Sequence, residues 1–283
     1  MKIAGSSQFC QTYGFKVTFG NESDTRFLKR ALQALISLPV AIKEVTFIQN
    51  EMKGLTIDSR SGIYDIACTG ENNHHFIVEM QLSEYPEFIQ RMKFYALYRF
   101  NTFVKKGKYT FENLPKIYCI GILANNIFST IADYHNIAVL RNAKGELIDD
   151  QMAFITLELE KFKLSENECK TDLEKLTFTM NNLDTLTEPT QFPKFWDEDW
   201  LNIAIQELDT KLMTPEQRLA YEMTVSANAL AIKNENKKIE EAKLSEKTKA
   251  VRNLLKLGVL THKQIADTIG VSEDFVFQLS ANK

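Results

Sequence analysis

The sequence predicts an α/β fold, a mixed sheet flanked by helices, which gives way to an all-helical C-terminal tail. Three observations predict it. Glycine falls at positions 5, 14, 20, 54, 62, 70, 107, 121 and 145, and then not until 258 and 270. Turn chemistry is therefore concentrated in the first half of the chain. KIYCIGIL (116–123) is a continuous apolar run, of the kind needed in a sheet interior covered on both faces. From Glu166 onward the apolar residues recur at helical spacing. These features divide the chain into a core over 1–165, a helical extension packed on it over 166–214, and a long helix with a helix-turn-helix-like tail over 215–283.

The elements follow in order. Phe27, Leu28, Leu32, Leu35 and Ile36 predict a helix over Glu22–Ser37, which Pro39 stops. Val45–Ile48 is a short strand. IYDIACT, bracketed by Gly62 and Gly70, is a second, and ENN (71–73) is the turn into HHFIVEMQL. Pro86 introduces a helix with Phe88, Met92, Tyr95 and Leu97-Tyr98 on one side, ended by Gly107. After KIYCIGIL, two further strands, HNIAVLRN and MAFITLELEKF, are joined through NAKGEL. Leu173, Leu176 and Phe178 mark one helix and Trp196–Met213 another. Thr214-Pro215-Glu216-Gln217 combines an N-cap, a first-turn proline and a capping-box glutamine, and it opens a long helix towards Leu257. Its middle, KNENKKIEEAKLSEKTK, is nearly all polar and reads as a solvated helix face or a partly flexible connector. Thr261 and Ser272 cap two short final helices, with Gly270 between them.

Composition narrows the function. The chain has 283 residues, 34 Lys and Arg against 37 Asp and Glu, and a net charge of −3. There is no chain-wide basic field, so nucleic-acid binding must rest on a local patch. Cys10, Cys68, Cys119 and Cys169 include no C-x-x-C pair, which argues against zinc and for reduced thiols. No signal pattern and no stretch of about 20 apolar residues is present, so the expectation is a cytoplasmic protein without a membrane segment. No G-x(4)-G-K-[ST] or G-x-G-x-x-G motif points to nucleotide chemistry.

One constellation carries chemistry. In an extended HHFIVEMQL, Phe76, Val78, Met80 and Leu82 share one face, and His75, Ile77, Glu79 and Gln81 share the other. In IYDIAC, Tyr64, Ile66 and Cys68 share a face opposite to Ile63, Asp65 and Ala67. A hairpin around ENN then sets Asp65 against Glu79. Two adjacent carboxylates repel and are costly to desolvate without a cation between them. Mg²⁺ is the natural partner, because it takes oxygen ligands, typically one or two carboxylates with water and phosphate. Gln81 points to the same place, able to hold a water or a phosphate oxygen. His74 and His75 face opposite ways, so they do not share a metal, and their polarity suits a turn and strand edge.

The order YGFKVTFG (13–20), a Leu-rich helix, YDI, VEMQ, FIQRMKFYALYRF and GKYTFENLPKIYCIGIL resembles the PD-(D/E)XK family transposases, also called Rpn-type recombination-promoting nucleases. The resemblance spans roughly residues 11–160. It implies a restriction-endonuclease-like PD-(D/E)XK core and a Mg²⁺-dependent DNA endonuclease, with Mn²⁺ as the other candidate ion, linked to recombination or mobile elements. It implies Asp65 and Glu79 as metal ligands with the Met80 carbonyl as a third, and Gln81 as a catalytic residue at the usual lysine position, where it would orient the water without lysine's charge. Arg91 matches the family's helix arginine and is expected at a phosphate. The acid that usually precedes the YGFK-like motif is replaced by Gln11-Thr12, and Glu22 is a candidate substitute.

Local charge agrees with DNA as partner. Arg91, Lys93, Arg99, Lys105, Lys106 and Lys108 follow one another between Phe88 and Phe111 without an acid. The tail resembles small DNA-binding modules, yet its second helix opens with Glu273-Asp274, which repel phosphate. Packing or homo-oligomerisation through the tail suits it better. The expected location is cytoplasmic, nucleoid-associated when acting on DNA. The alternative class is a catalytically weak DNA-binding or protein-interaction protein that keeps the nuclease fold. A helical scaffold is the third.

Overall fold

The computed structural model describes residues 12–37, 41–49, 51–52, 62–71, 73–82, 87–103, 114–183, 185–186, 189–208 and 214–281. The chain divides into two compact units, 1–228 and 229–283.

The first unit is built on a six-stranded sheet. Its strands are β1 (Val45–Phe47), β4 (Ile66–Gly70), β5 (His75–Gln81), β6 (Ile117–Leu123), β7 (His135–Arg141) and β8 (Leu147–Glu158), in the order β1-β4-β5-β6-β8-β7. A separate short pair joins β2 (Glu51–Met52) to β3 (Gly62–Ile63). β4 and β5 form an antiparallel hairpin with Ile66 opposite Val78. β5, β6 and β8 run parallel, and β7 closes the far edge antiparallel to β8. The sheet is mixed, as expected, and every residue of β6 is buried.

Helices cover both faces. On one side lie α1 (Thr12–Phe19), α2 (Arg26–Ile36), α4 (Asp172–Asn182) and α5 (Asp199–Leu208). Phe15, Phe19, Phe27, Leu32, Leu176 and Leu201 from these helices pack on Phe76, Val78, Met80, Ile120 and Ile155 of the strands. On the other side α3 (Phe88–Phe103) sets Phe88, Met92 and Tyr95 on Ile77, Ile117, Cys119 and Leu123. A Cβ at Gly121 would lie 2.4 Å from Phe88 Cε1. Only glycine at that point of β6 lets α3 come so close.

The structure corrects several local readings. IYDIACT is not one strand: it breaks at Tyr64-Asp65, between β3 and β4. The break turns Tyr64 away from Ile66 and Cys68 to the α3 side, where its ring meets Tyr95 edge-on at 4.9 Å and its hydroxyl donates to Tyr95 O at 3.3 Å. The helix expected from Glu22 starts at Arg26. The Asn21 side chain accepts from the amides of Ser23 and Asp24, both at 3.0 Å, and this side-chain turn competes with helix. Glu22 is thus exposed in a turn and not on a helix. YGFKVTF is helical. Leu97 is 61% exposed, off the buried stripe of α3, and Gly107 lies outside the described residues. β8 starts at Leu147, because Gly145 (φ +85°) and the Asn142 side chain make a tight turn after β7. Of Trp196–Met213, the described part is a 3-10 turn over Lys194–Asp197 followed by α5.

The helix α6 (Pro215–Leu257) begins at the anticipated proline. In the second unit its end meets α7 (His262–Ile269) and α8 (Glu273–Ala281) around Val251, Ile265, Ala266 and Val276. Thr261 and Gln264 form a capping box, Gly270 ends α7 at φ +66°, and Ser272 Oγ accepts from the Phe275 amide at 3.2 Å. Among the described residues, no helix is long and apolar enough to cross a membrane. Cys68, Cys119 and Cys169 are free thiols, all buried.

Candidate active site

The site forms where the β4–β5 hairpin opens under α3. Asp65 sits in the bend before β4, one step beyond the Ile66–Val78 pair. Its backbone amide donates to Glu79 Oε1 at 3.0 Å. The Met80 amide donates to Asp65 Oδ2 at 3.0 Å. Each carboxylate thus holds the other's strand, and the two are brought together by backbone bonds. The Met80 side chain goes to the opposite face, into the main core.

Arg91 reaches down from α3. Its Nη2 donates to Gln81 Oε1 at 2.9 Å and lies 3.4 Å from Glu79 Oε2. The guanidinium stacks over the Phe88 ring at 5.4 Å, with Tyr95 at 6.0 Å. In register, Glu79 lies opposite Gly121. The same glycine that admits Phe88 therefore sits beside the buried carboxylate.

Electrostatics follow from burial. Glu79 is 5% exposed. Desolvation first, and then the Asp65 charge, push its carboxyl up to about 8, against the pull of Arg91. Burial also raises Asp65, opposed by the Met80 amide bond and by the charges of Lys16 and Arg91. Two carboxyl groups raised in this way are short of positive charge.

The donor set suits a hard divalent ion. Among the described residues, no group of three or more His, Cys, Asp or Glu side chains gathers. Two carboxylates and a main-chain carbonyl still fit an ion that completes its shell with water and phosphate oxygens.

The other anticipated residues separate. Lys93 is exposed on α3. Lys105, Lys106 and Lys108 lie outside the described residues. Arg99 turns inward and donates to His75 Nδ1 at 3.3 Å, with Phe103 below it at 5.3 Å. His75 is therefore not strand-edge polarity: it is 2% exposed beneath α3. His74 and His75 do face opposite sides, against Tyr118 and Phe103. Sequence reasoning gave no role to Lys16, whose charge acts on both carboxyl groups. The signal was its place in YGFK. Gly121 was also missed, although a glycine inside an apolar strand marks a close approach.

No curated protein and no solved structure matches the chain. The family model for the PD-(D/E)XK nuclease family transposases matches residues 10–242. The mixed six-stranded sheet with its flanking helices is a PD-(D/E)XK nuclease-like α/β fold. Divalent metals are the usual cofactors of such nucleases, and DNA is their substrate. With the fold and a match over most of its length in agreement, the chain belongs to the PD-(D/E)XK nuclease family transposases.

Proposed function

We propose that the protein is a Mg²⁺-dependent DNA endonuclease that hydrolyses phosphodiester bonds in recombination or the movement of mobile elements. The observation that carries this reading is the Asp65–Glu79 pair, two buried carboxylates tied together by each other's backbone. Asp65 and Glu79 hold the ion through their carboxylates, and Met80 through its carbonyl. When bound, such an ion polarises a phosphate oxygen and lowers the pKa of a coordinated water. Gln81, at the strand end, stands where the substrate phosphate meets the protein. Arg91 offsets the negative charge of the pair before and during binding. Lys93, with Lys105, Lys106 and Lys108, supplies the phosphate contacts that hold duplex DNA without reading its sequence.

The test is nicking and linearisation of supercoiled plasmid by purified protein in Mg²⁺, in Mn²⁺ and in EDTA, beside Asp65→Ala and Glu79→Ala. The expected result is cleavage that needs the ion and is lost in both folded variants. A folded wild type that binds DNA and cuts in neither metal would replace this reading with a non-catalytic DNA-binding protein of the same fold.

A further inference from the structure

Position 81 poses a charge problem. Hydrolysis of a phosphodiester builds negative charge on the phosphate oxygens, and preorganised cations and donors stabilise it. The hairpin offers two acids and one neutral amide, Asp65 in the bend before β4 and Glu79 and Gln81 on β5. Among the described residues, a cation in hydrogen-bond reach of that amide comes from a different element, Arg91 on α3.

The contact also settles the amide's orientation. A guanidinium only donates, so the atom 2.9 Å from Arg91 Nη2 must be the oxygen of Gln81. The other end of the amide, Nε2, only donates. Such a group meets a phosphate oxygen well, and it cannot take a proton from an attacking water. Arg91 in turn is held in place. Glu79 Oε2 lies on one side, the Phe88 and Tyr95 rings on another, and its side chain is 28% exposed. A planar guanidinium fixed in this way is preorganised, as a lysine on a flexible stem is not.

We propose that Arg91 is a positioning residue: it fixes the Gln81 amide as a donor to a non-bridging phosphate oxygen and brings from α3 the positive charge that position 81 lacks. The inference rests on the nuclease reading above. It assigns Gln81 to the phosphate and not to the water. It also explains why an uncharged side chain serves at that place, since charge and hydrogen bond are divided between two residues on two elements.

The test moves the charge back to the strand. Wild type, Arg91→Ala, Arg91→Lys, Gln81→Lys and the double variant Arg91→Ala/Gln81→Lys are compared in single-turnover plasmid cleavage with Mg²⁺. Fluorescence anisotropy with a duplex oligonucleotide in EDTA gives a second readout that needs no turnover. Arg91→Ala is expected to slow cleavage by about 10²-fold or more and to weaken binding in EDTA several-fold. Arg91→Lys, which keeps the charge and loses the fork, falls between. The double variant recovers both readouts to within about tenfold of wild type, because a lysine at 81 supplies charge and donor together. A purely structural Arg91 predicts no rescue. Folded Arg91→Ala with unchanged rate and affinity, or a double variant no better than the single one, overturns the inference while wild-type cleavage keeps the nuclease reading. If Arg91→Ala does not fold, full activity of Arg91→Gln or of folded Arg91→Lys overturns it equally. Wild type that never cleaves overturns the nuclease reading, and the inference with it.

Discussion

The Asp65 amide donates to Glu79 Oε1, and Asp65 Oδ2 accepts from the amide of Met80, the residue after Glu79, both at 3.0 Å. This exchange replaces the ladder bonds lost where the strand breaks at Tyr64-Asp65. It holds the two acids together, with one oxygen of each carboxylate engaged by a backbone donor. The site is thus built by the hairpin itself, and four predictions follow from its surroundings.

Glu79 couples stability to pH and to divalent ions. Its carboxyl is raised from 4.5 to about 8 by burial and by Asp65. The folded state therefore holds a proton that the unfolded state releases. The stability this contributes is complete below 4.5 and is lost as pH rises through about 8. In EDTA, Tm is expected to fall by roughly 5 °C or more between pH 5 and 8.5. On the proposed function, Mg²⁺ should recover most of the loss, since an ion held by this pair requires the deprotonated form. Glu79→Gln should flatten both dependences. Thermal melts across pH with and without Mg²⁺ check this, and parallel curves for the two proteins would contradict it.

Gly121 matters because of Phe88. A Cβ there meets Phe88 Cε1 at 2.4 Å and Cζ at 2.5 Å, and Arg91 rests on the same ring. Gly121→Ala should cost about 1–3 kcal/mol of stability by overpacking. It should also lower DNA cleavage, measured well below Tm, by displacing Arg91. Gly121→Ala/Phe88→Leu should regain stability without regaining cleavage. Urea melts and rate measurements separate the two effects, and a Gly121→Ala protein with full activity would refute the link.

His75 sets an acid limit. Burial first, then the Arg99 charge, lowers its pKa to about 4. Arg99 donates to Nδ1, so the ring proton sits on Nε2, which is buried and has no hydrogen-bond partner among the described residues. The depressed pKa gives stability that is present above 6.5 and lost as pH falls through about 4. His75→Asn keeps an acceptor for Arg99 and removes the titration. It should be less stable at pH 7 yet show a shallower fall between pH 6.5 and 4. Denaturant melts at several pH values decide, and equal slopes would count against this account.

Glu158 and Lys161 clasp the segment after β6. The buried Glu158 accepts from the amides of Ile127 and Phe128 and from Lys161 Nζ, which also donates to the carbonyls of Phe128 and Ile131. The same segment donates from Ala124 N to Gln81 O at 3.0 Å. Lys161→Met leaves a buried carboxylate without its cation and should cost about 3–5 kcal/mol. Limited proteolysis should then cut within residues 124–134 first. Wild-type resistance there in a destabilised variant would rule out the clasp.

Part of this was readable along the chain. The hairpin around 71–73 sets Ile66 against Val78, and so Asp65 towards Glu79, because alternation and turn length together fix register. The unbroken apolarity of residues 117–123 placed β6 in the sheet interior, and Pro215, Thr261 and Gly270 marked helix ends by local backbone chemistry. Tyr64 was read to the wrong face, because alternation assumes an unbroken strand and a bend resets it. The sequence places His75 at a strand edge, because nothing local reveals that α3 covers it with Arg99 and Phe103.

By itself, then, the sequence determined the α/β class, the pairing of the two acids and the capped helices, each a matter of neighbours within a strand, a turn or a helix. Only the tertiary structure decided which cations serve those acids. Arg91 and Arg99 lie two helical turns apart on α3 and look alike in sequence, yet one meets Glu79 and Gln81 and the other His75. The depth at which Gly121 lets α3 settle on β6 controls those meetings, and contact between elements distant in the chain leaves no periodic trace in it.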